Sequence, residues 1–189
     1  TGGSGGLGRA LAQRILADQG RVLLLGRSLE KLEATRRGLS HADGSVLVSA
    51  VDLLAEDGPE QAFAGAMEKL SSVAGLINNA GMFIWKSPLE LTAMDWQRSM
   101  QLHAWVPFRL SQLFIQRWRT LGQTAVILNI ASIHGQLPEP NAVAQCASKA
   151  ALIAMTQALA EGVRKDGIRI NAICPGGIAT NSAEQPGHP

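Results

Sequence analysis

The sequence predicts an α/β protein built as a doubly wound parallel sheet in three α/β/α layers, and three observations carry that expectation. Apolar strand-like runs alternate with amphipathic helical stretches along the chain, the pattern of a parallel sheet covered on both faces. A glycine-dense turn, Thr1-Gly2-Gly3-Ser4-Gly5-Gly6-Leu7-Gly8, opens directly into a helical run over 9–16. With 189 residues, 46% of them hydrophobic, and no long apolar run, the chain reads as one domain, 1–189, with material for a sizeable core.

Each element has a local cause. Glycines let backbone N–H groups approach a phosphate, and the positive end of the next helix favours the anion, so the first element reads as a nucleotide turn. It fits both Gly-x-Gly-x-x-Gly (Gly3, Gly5, Gly8) and Thr-Gly-x-x-x-Gly-x-Gly (Thr1, Gly2, Gly6, Gly8), and lacks the lysine of a Gly-x-x-x-x-Gly-Lys loop. A buried strand follows over 21–26. Ser28 caps a charged helix through about Leu39, 46–51 is the next strand, and a helix over 58–70 is started by Pro59. A short strand at 75–78 precedes a long helical region over 92–119. The remainder reads as a strand over 125–130, a loop holding Pro138 and Pro140, a helix over 142–165 and a strand over 168–173. Residues 175–189 are rich in Gly, Pro and Ser and are expected to be a mobile loop or an incomplete end. A glycine turn of this type hangs from the C-terminal end of a strand, and no strand precedes Thr1. The sequence is therefore expected to be a fragment lacking the first strand and the C-terminal end, with a gap inside the sheet and two open edges.

Composition excludes several function classes. A formal net charge of +2, without a Lys/Arg block, argues against a nucleic-acid surface, and no run is long enough for a membrane span. Cys146 and Cys174 are the sole cysteines, so neither a disulfide framework nor a Cys/His metal site is expected, and a reducing cytoplasm is the expected compartment.

Further motifs occur in order. Asn78-Asn79-Ala80-Gly81 follows a strand, Ser132 follows the strand over 125–130, Ala147-Ser148-Lys149-Ala150-Ala151-Leu152 lies in a helix, and Asn171-Ala172-Ile173-Cys174-Pro175-Gly176-Gly177-Ile178-Ala179-Thr180 ends the last strand. On these residues the chain resembles the short-chain dehydrogenase/reductase family over essentially its whole length, which implies a Rossmann-type fold and a nicotinamide cofactor. The resemblance assigns Gly2, Gly6 and Gly8 to the bend around the pyrophosphate, with Ser4, Gly5 and Leu7 filling the turn. Asp52, with Leu53 beside it, takes the position that meets the adenine amino group; a helix N-cap is its alternative role. Asn78 is matched to sheet stabilisation or a ligand contact. Asn79, Ala80 and Gly81 are matched to the ribose wall, and Pro175, Gly176, Ile178 and Thr180 to the segment beside the carboxamide, although turn chemistry also accounts for the Pro-Gly pair.

Cofactor choice is read where the second strand of the family ends. A carboxylate there would accept both ribose hydroxyls of NAD, whereas this chain has Gly26 followed by Arg27, so NADP(H) is expected over NAD(H) unless Arg27 only faces solvent. Arg9 and Ser28 are further donors for the same phosphate.

The catalytic centre departs from the family. Ser132 and Lys149 are present, but the tyrosine expected four residues before the lysine is Gln145, and the chain contains no Tyr. The supporting Asn position falls on His103. An amide does not exchange a proton usefully near neutral pH, and losing a general acid costs about 10²–10⁴ in rate. His103 and His134 are then either proton relays or pocket-lining residues, and Cys146 is expected to point away from Ser132 as a buried, inert thiol. The expected function is an NADP(H)-dependent oxidoreductase acting on a carbonyl or alcohol, with a non-catalytic NADP(H)-binding protein as its alternative; a structural oligomer with vestigial cofactor binding is disfavoured by the intact glycine turn. Met82, Phe83, Trp85, Ile133, His134 and Leu137 are expected to form an apolar pocket for a small-molecule substrate. The family implies a homodimer or homotetramer, and Trp105, Leu110, Leu113, Phe114 and Trp118, with Leu152, Met155 and Leu159, serve either that interface or the core.

Overall fold

A computed structural model describes residues 1–40, 42–70 and 72–179. Helix α1 (Gly6–Ala17) leads into β1 (Val22–Gly26), α2 (Leu29–Arg37), β2 (Val46–Ala50), α3 (Gly58–Lys69) and β3 (Gly75–Asn78). Then come α4 (Ala93–Met100), a π-helical segment (Gln101–Trp105), α5 (Val106–Leu121), β4 (Ala125–Ile130), a 3₁₀ turn (Ile133–Gly135), α6 (Val143–Gly162) and β5 (Ile168–Ile173).

All strand pairs are parallel, and they form two sheets, β1–β2 and β3–β4–β5, with the gap and the two open edges that the sequence reading expected. Thr1 to Gly3 joins them at one end. The Thr1 amino group donates to Ile77 O at 2.7 Å on the β3 side, and Gly3 N donates to Leu25 O at 3.0 Å on the β1 side.

Strand alternation shows the double winding. Val22 and Leu24 pack with Ala12 of α1 and Leu32 of α2 on one face, while Leu23 and Leu25 meet Ala62 of α3 and Leu102, Val106 and Leu110 on the other. A third cluster joins Phe114, Ile115 and Trp118 of α5 to Ile127 of β4 and Ile168 and Ile170 of β5.

Two helices differ from expectation. The long helix carries a π segment immediately before Val106-Pro107. Pro107 has no N–H to donate, and its ring would press on the carbonyl four residues earlier, that of His103; the wider turn relieves that clash. Helix α6 stops at Gly162 rather than 165, because Asp166 N returns to Val163 O and Gly167 adopts φ +70°. Among the described residues no helix is long and apolar enough to cross a membrane.

Candidate active site

The glycine turn is shaped by close backbone contacts. Gly2 sits at φ +65°, and a Cβ there would lie 2.8 Å from Asn79 Nδ2; a Cβ on Gly8 would fall onto the Gly2 carbonyl oxygen. Helix α1 begins without a side-chain cap and with no acid in its first turn, so the positive end of its dipole faces the turn uncompensated. Gly2, Ser4, Gly5, Arg27, Asp52, Leu53, Asn79, Ala80 and Gly81 all line one cleft of about 230 Å³, together with Met82 and Leu102. Gly6, Leu7 and Gly8 form the first turn of α1 behind it. A cradle of this shape, closed to any side chain at Gly2 and Gly8, fits the pyrophosphate of a dinucleotide.

Several residues there have structural jobs. Asn79 Nδ2 donates to Thr1 O and Gly2 O at 3.1 and 3.2 Å, fixing the turn. Asp52 Oδ1 accepts from Leu54 N at 3.0 Å, and the N-cap of α3 is Asp57, so the alternative of Asp52 as helix cap does not hold. Asn78 is buried, and its Nδ2 donates to Asn129 Oδ1 at 2.8 Å, tying β3 to β4 as a sheet residue. Arg27 is exposed at the mouth of the cleft, one residue past β1. Ser28 caps α2 by accepting from Lys31 N at 3.3 Å, which leaves its hydroxyl proton available. Arg9 does not join them: its Nη2 donates to Gly38 O at 2.9 Å, drawn to the carbonyl end of α2.

On the other side of Gly81, the end of β4 and the start of α6 bring the remaining candidates together. Gly135 makes this approach possible, since a Cβ there would come within 2.9 Å of the Lys149 carbonyl carbon. Ser132 Oγ accepts from His134 N at 3.2 Å and retains its proton for a ligand. One helical face carries Gln145, Ser148, Lys149 and Leu152, all buried. Lys149, 6% exposed, donates from Nζ to Ile130 O at 2.6 Å. Burial pushes its ammonium down to about 8, with the Cys174 thiol acting in the opposite sense. Gln145 Oε1 is buried with no hydrogen-bond partner among the described residues.

His103 is not an open relay. It is 1% exposed, its Nε2 accepts from Met82 N at 3.1 Å, and Nδ1, which must then carry the proton, donates to Ser148 Oγ at 3.0 Å. Ser99 Oγ completes the cluster, 3.0 Å from Ser148 Oγ and 3.1 Å from the Ala144 carbonyl oxygen. Burial, and then the Lys149 charge, hold His103 down to about 3. Of the two roles left open by the sequence, this geometry is that of a lining residue. Ser99 and Ser148 were missed by sequence reasoning; their one signal was the four-residue spacing of Ser99 and His103 on a helix.

Beyond Ser132 lies a small aromatic cluster. Phe83 stacks on Trp85 with centroids 5.6 Å apart, and the His134 ring lies 6.4 Å from Phe83. Ile133 and Leu137 are exposed, and of the residues expected in the apolar pocket only Met82 lines the cleft at the glycine turn. Ile133 N donates to Pro175 O at 2.9 Å, joining the serine turn to the segment after β5. Gly176 and Ile178 are exposed there, while Thr180 lies outside the described residues. Cys146 is half-buried rather than buried, with Sγ 3.9 Å from Glu139 O.

Adjoining the cleft, with which it shares Arg27, Asp52 and Leu54, a groove of about 1010 Å³ runs along the long helix and α6, lined also by Trp96, Trp105, Phe108 and Met155. Leu110, Phe114, Trp118 and Leu152 do not reach it. Each is buried, and Trp118 stacks on Phe114 at 4.2 Å, so these four are core residues rather than interface.

Residues 1–188 match the family model described as short chain dehydrogenase. The chain is 32% identical over 188 residues to the probable 2,4-dienoyl-CoA reductase of Bacillus subtilis (strain 168), covering 98% of this chain and 74% of that protein. It is 30% identical to the NADP-dependent (R)-specific alcohol dehydrogenase of Lentilactobacillus kefiri, covering 95% and 72%. The solved structure of 4-hydroxyisoleucine dehydrogenase complexed with NADH is similar with a TM-score of 0.88 at 31% identity, covering 97% of this chain and 74% of that one.

Proposed function

The chain belongs to the short chain dehydrogenase family, and from that premise we propose that it is an NADP(H)-dependent oxidoreductase acting on a carbonyl or alcohol. The observation that carries the cofactor choice is Arg27 at the cleft mouth, directly after Gly26 and opposite no acid on its own turn. A guanidinium there suits a 2′-phosphate bidentately and has nothing to offer a bare ribose diol that a carboxylate would not do better. The uncapped start of α1 and the glycine turn would hold the pyrophosphate, and Ala80, Gly81 and the Pro175 segment would flank the ribose and carboxamide. When bound, the cofactor supplies or accepts a hydride at the reacting carbon. Ser132 then donates its free proton in a hydrogen bond to the substrate oxygen, stabilising charge as it develops. Gln145 orients that oxygen through its amide but exchanges no proton.

A second reading, a non-catalytic NADP(H)-binding protein, is favoured by one observation: the position of the family's acid holds an amide whose buried Oε1 has no partner. Titration with NADPH and NADH, followed by turnover of a ketone panel, separates the two. Tight NADPH binding with turnover supports the enzyme, and tight binding without turnover supports the second reading. In the cytoplasm the protein would act on a small molecule and assemble as a homodimer or homotetramer. Its contact face would be the groove bearing Trp105, which is 47% exposed, and Met155. Light scattering at micromolar concentration tests the assembly, and a monomer would refute it.

A further inference from the structure

We propose that Lys149 is itself the proton donor to the substrate oxygen, replacing the phenol that Gln145 does not provide. The inference rests on the reductase reading above. The chain contains no tyrosine. Among the described residues, the titratable groups coupled to Lys149 are His103 from the π segment and Cys174 beyond β5; His134 stands on the 3₁₀ turn that packs on α6, and Arg98 of α4 lines the outer groove. His103 has both ring nitrogens engaged, by Met82 N and Ser148 Oγ, and releases no proton without breaking that chain. His134 turns its ring toward Phe83, into the aromatic cluster. Cys146 is turned toward the Glu139 carbonyl.

Lys149 stands differently. Its Nζ is held at the Ile130 carbonyl, on the strand end from which Ser132 projects two residues later. That bond uses one of three N–H groups, and no other partner is found among the described residues. A four-carbon stem lets Nζ swing from the carbonyl to an oxygen held by Ser132. Burial also makes the ammonium a stronger acid than an ordinary lysine, down to about 8, while leaving it protonated at neutral pH.

The step balances. As hydride reaches the carbonyl carbon and forms the new C–H bond, the C=O π pair moves to oxygen. An Nζ–H bond breaks and an O–H bond forms, the carbonyl is reduced to the alcohol, and the nicotinamide is oxidised. Lys149 is left as a neutral amine that regains a proton from water.

The test uses the whole chain, its K149R and H103N variants, NADPH, and acetophenone and ethyl acetoacetate as probe ketones. The parent kcat is expected to be flat below pH 8 and to fall about tenfold per unit above it. K149R keeps a cation at every assay pH, so it should bind NADPH within about threefold by tryptophan quenching. It should lose about 100-fold or more in kcat, together with the alkaline limb. H103N should keep that limb. Independently of turnover, the ¹⁵Nζ resonance missing from K149R should titrate near 8. K149R retaining kcat within about tenfold, or a limb that persists in K149R, overturns the proposal while leaving the reductase reading intact. A parent that binds NADPH and turns over neither ketone overturns the reductase reading and the proposal together.

Discussion

Replacing Gln145 by Met is expected to stabilise the protein while impairing its chemistry. Gln145 is 9% exposed, and its Oε1 is sealed from solvent without a donor. A buried acceptor left unpaired costs about 1–3 kcal/mol, because it loses water and gains nothing. Methionine has nearly the same length and shape and no oxygen to desolvate, and repacking strain from such a swap stays below about 1.5 kcal/mol. The net gain should be about 1 kcal/mol, which for a domain of this size is about 2–4 °C in Tm. Differential scanning calorimetry at neutral pH without cofactor measures it. A fall of about 2 °C or more would refute the reasoning, since it would mean that the carboxamide is satisfied in the folded protein. The same variant should turn over ketones more slowly than the parent, because the amide proposed to orient the substrate oxygen is gone. A stability gain coupled to an activity loss is the pattern of a residue retained for its site rather than for the fold.

Four further outcomes are expected. Arg27→Asp should weaken NADPH binding by about 1.5–3 kcal/mol relative to NADH, and unchanged preference in a fluorescence titration would remove Arg27 from the phosphate site. Gln145→Tyr places a phenol one helical turn from Lys149 and should raise ketone reduction by about tenfold, less than the full worth of a general acid because Lys149 already supplies the proton, so a slower variant would show that Gln145 belongs to a different working chemistry. For His103, whose pKa falls from 6.5 in the unfolded chain to about 3 when folded, the unfolded state binds the extra proton between those values. Stability from this group is therefore complete above 6.5 and lost as pH falls toward 3, at about 1.4 kcal/mol per unit, and denaturant melts of His103→Asn should show a shallower acid slope. Finally, Trp118→Ala should cost about 3–5 kcal/mol in urea unfolding, whereas Trp105→Glu should leave stability nearly unchanged and shift the light-scattering mass toward monomer; the reverse pattern would contradict the assignment of core and surface.

Much of the fold was legible because its determinants are local. The strands at 75–78, 125–130 and 168–173 coincide with apolar runs bounded by turn residues, and Ser28, as the cap of α2, and Pro59, in the first turn of α3, mark helix starts by effects that act within three residues. The cleft that gathers the proposed cofactor residues has a similar origin: Arg27, Asp52 and Ala80-Gly81 follow the ends of β1, β2 and β3, and the turn before α1 brings Gly2, Ser4 and Gly5 against them.

What only the tertiary structure decided concerns where side chains meet across long separations. Sequence order places Arg9 beside the glycine turn, but the carbonyl end of α2, 29 residues on, captures its guanidinium. Periodicity marks Trp118 and Trp105 alike as apolar helix positions, yet one fills the core against Phe114 and the other faces the outer groove. His103 titrates freely in a sequence and not in a cavity closed by Met82, Ser99 and Ser148, two of which come from segments 21 and 45 residues away. Pattern reveals the chemistry that each residue carries and the face on which it sits; hydrogen-bond partners and burial, which set whether that chemistry is available, are properties of the packed chain alone.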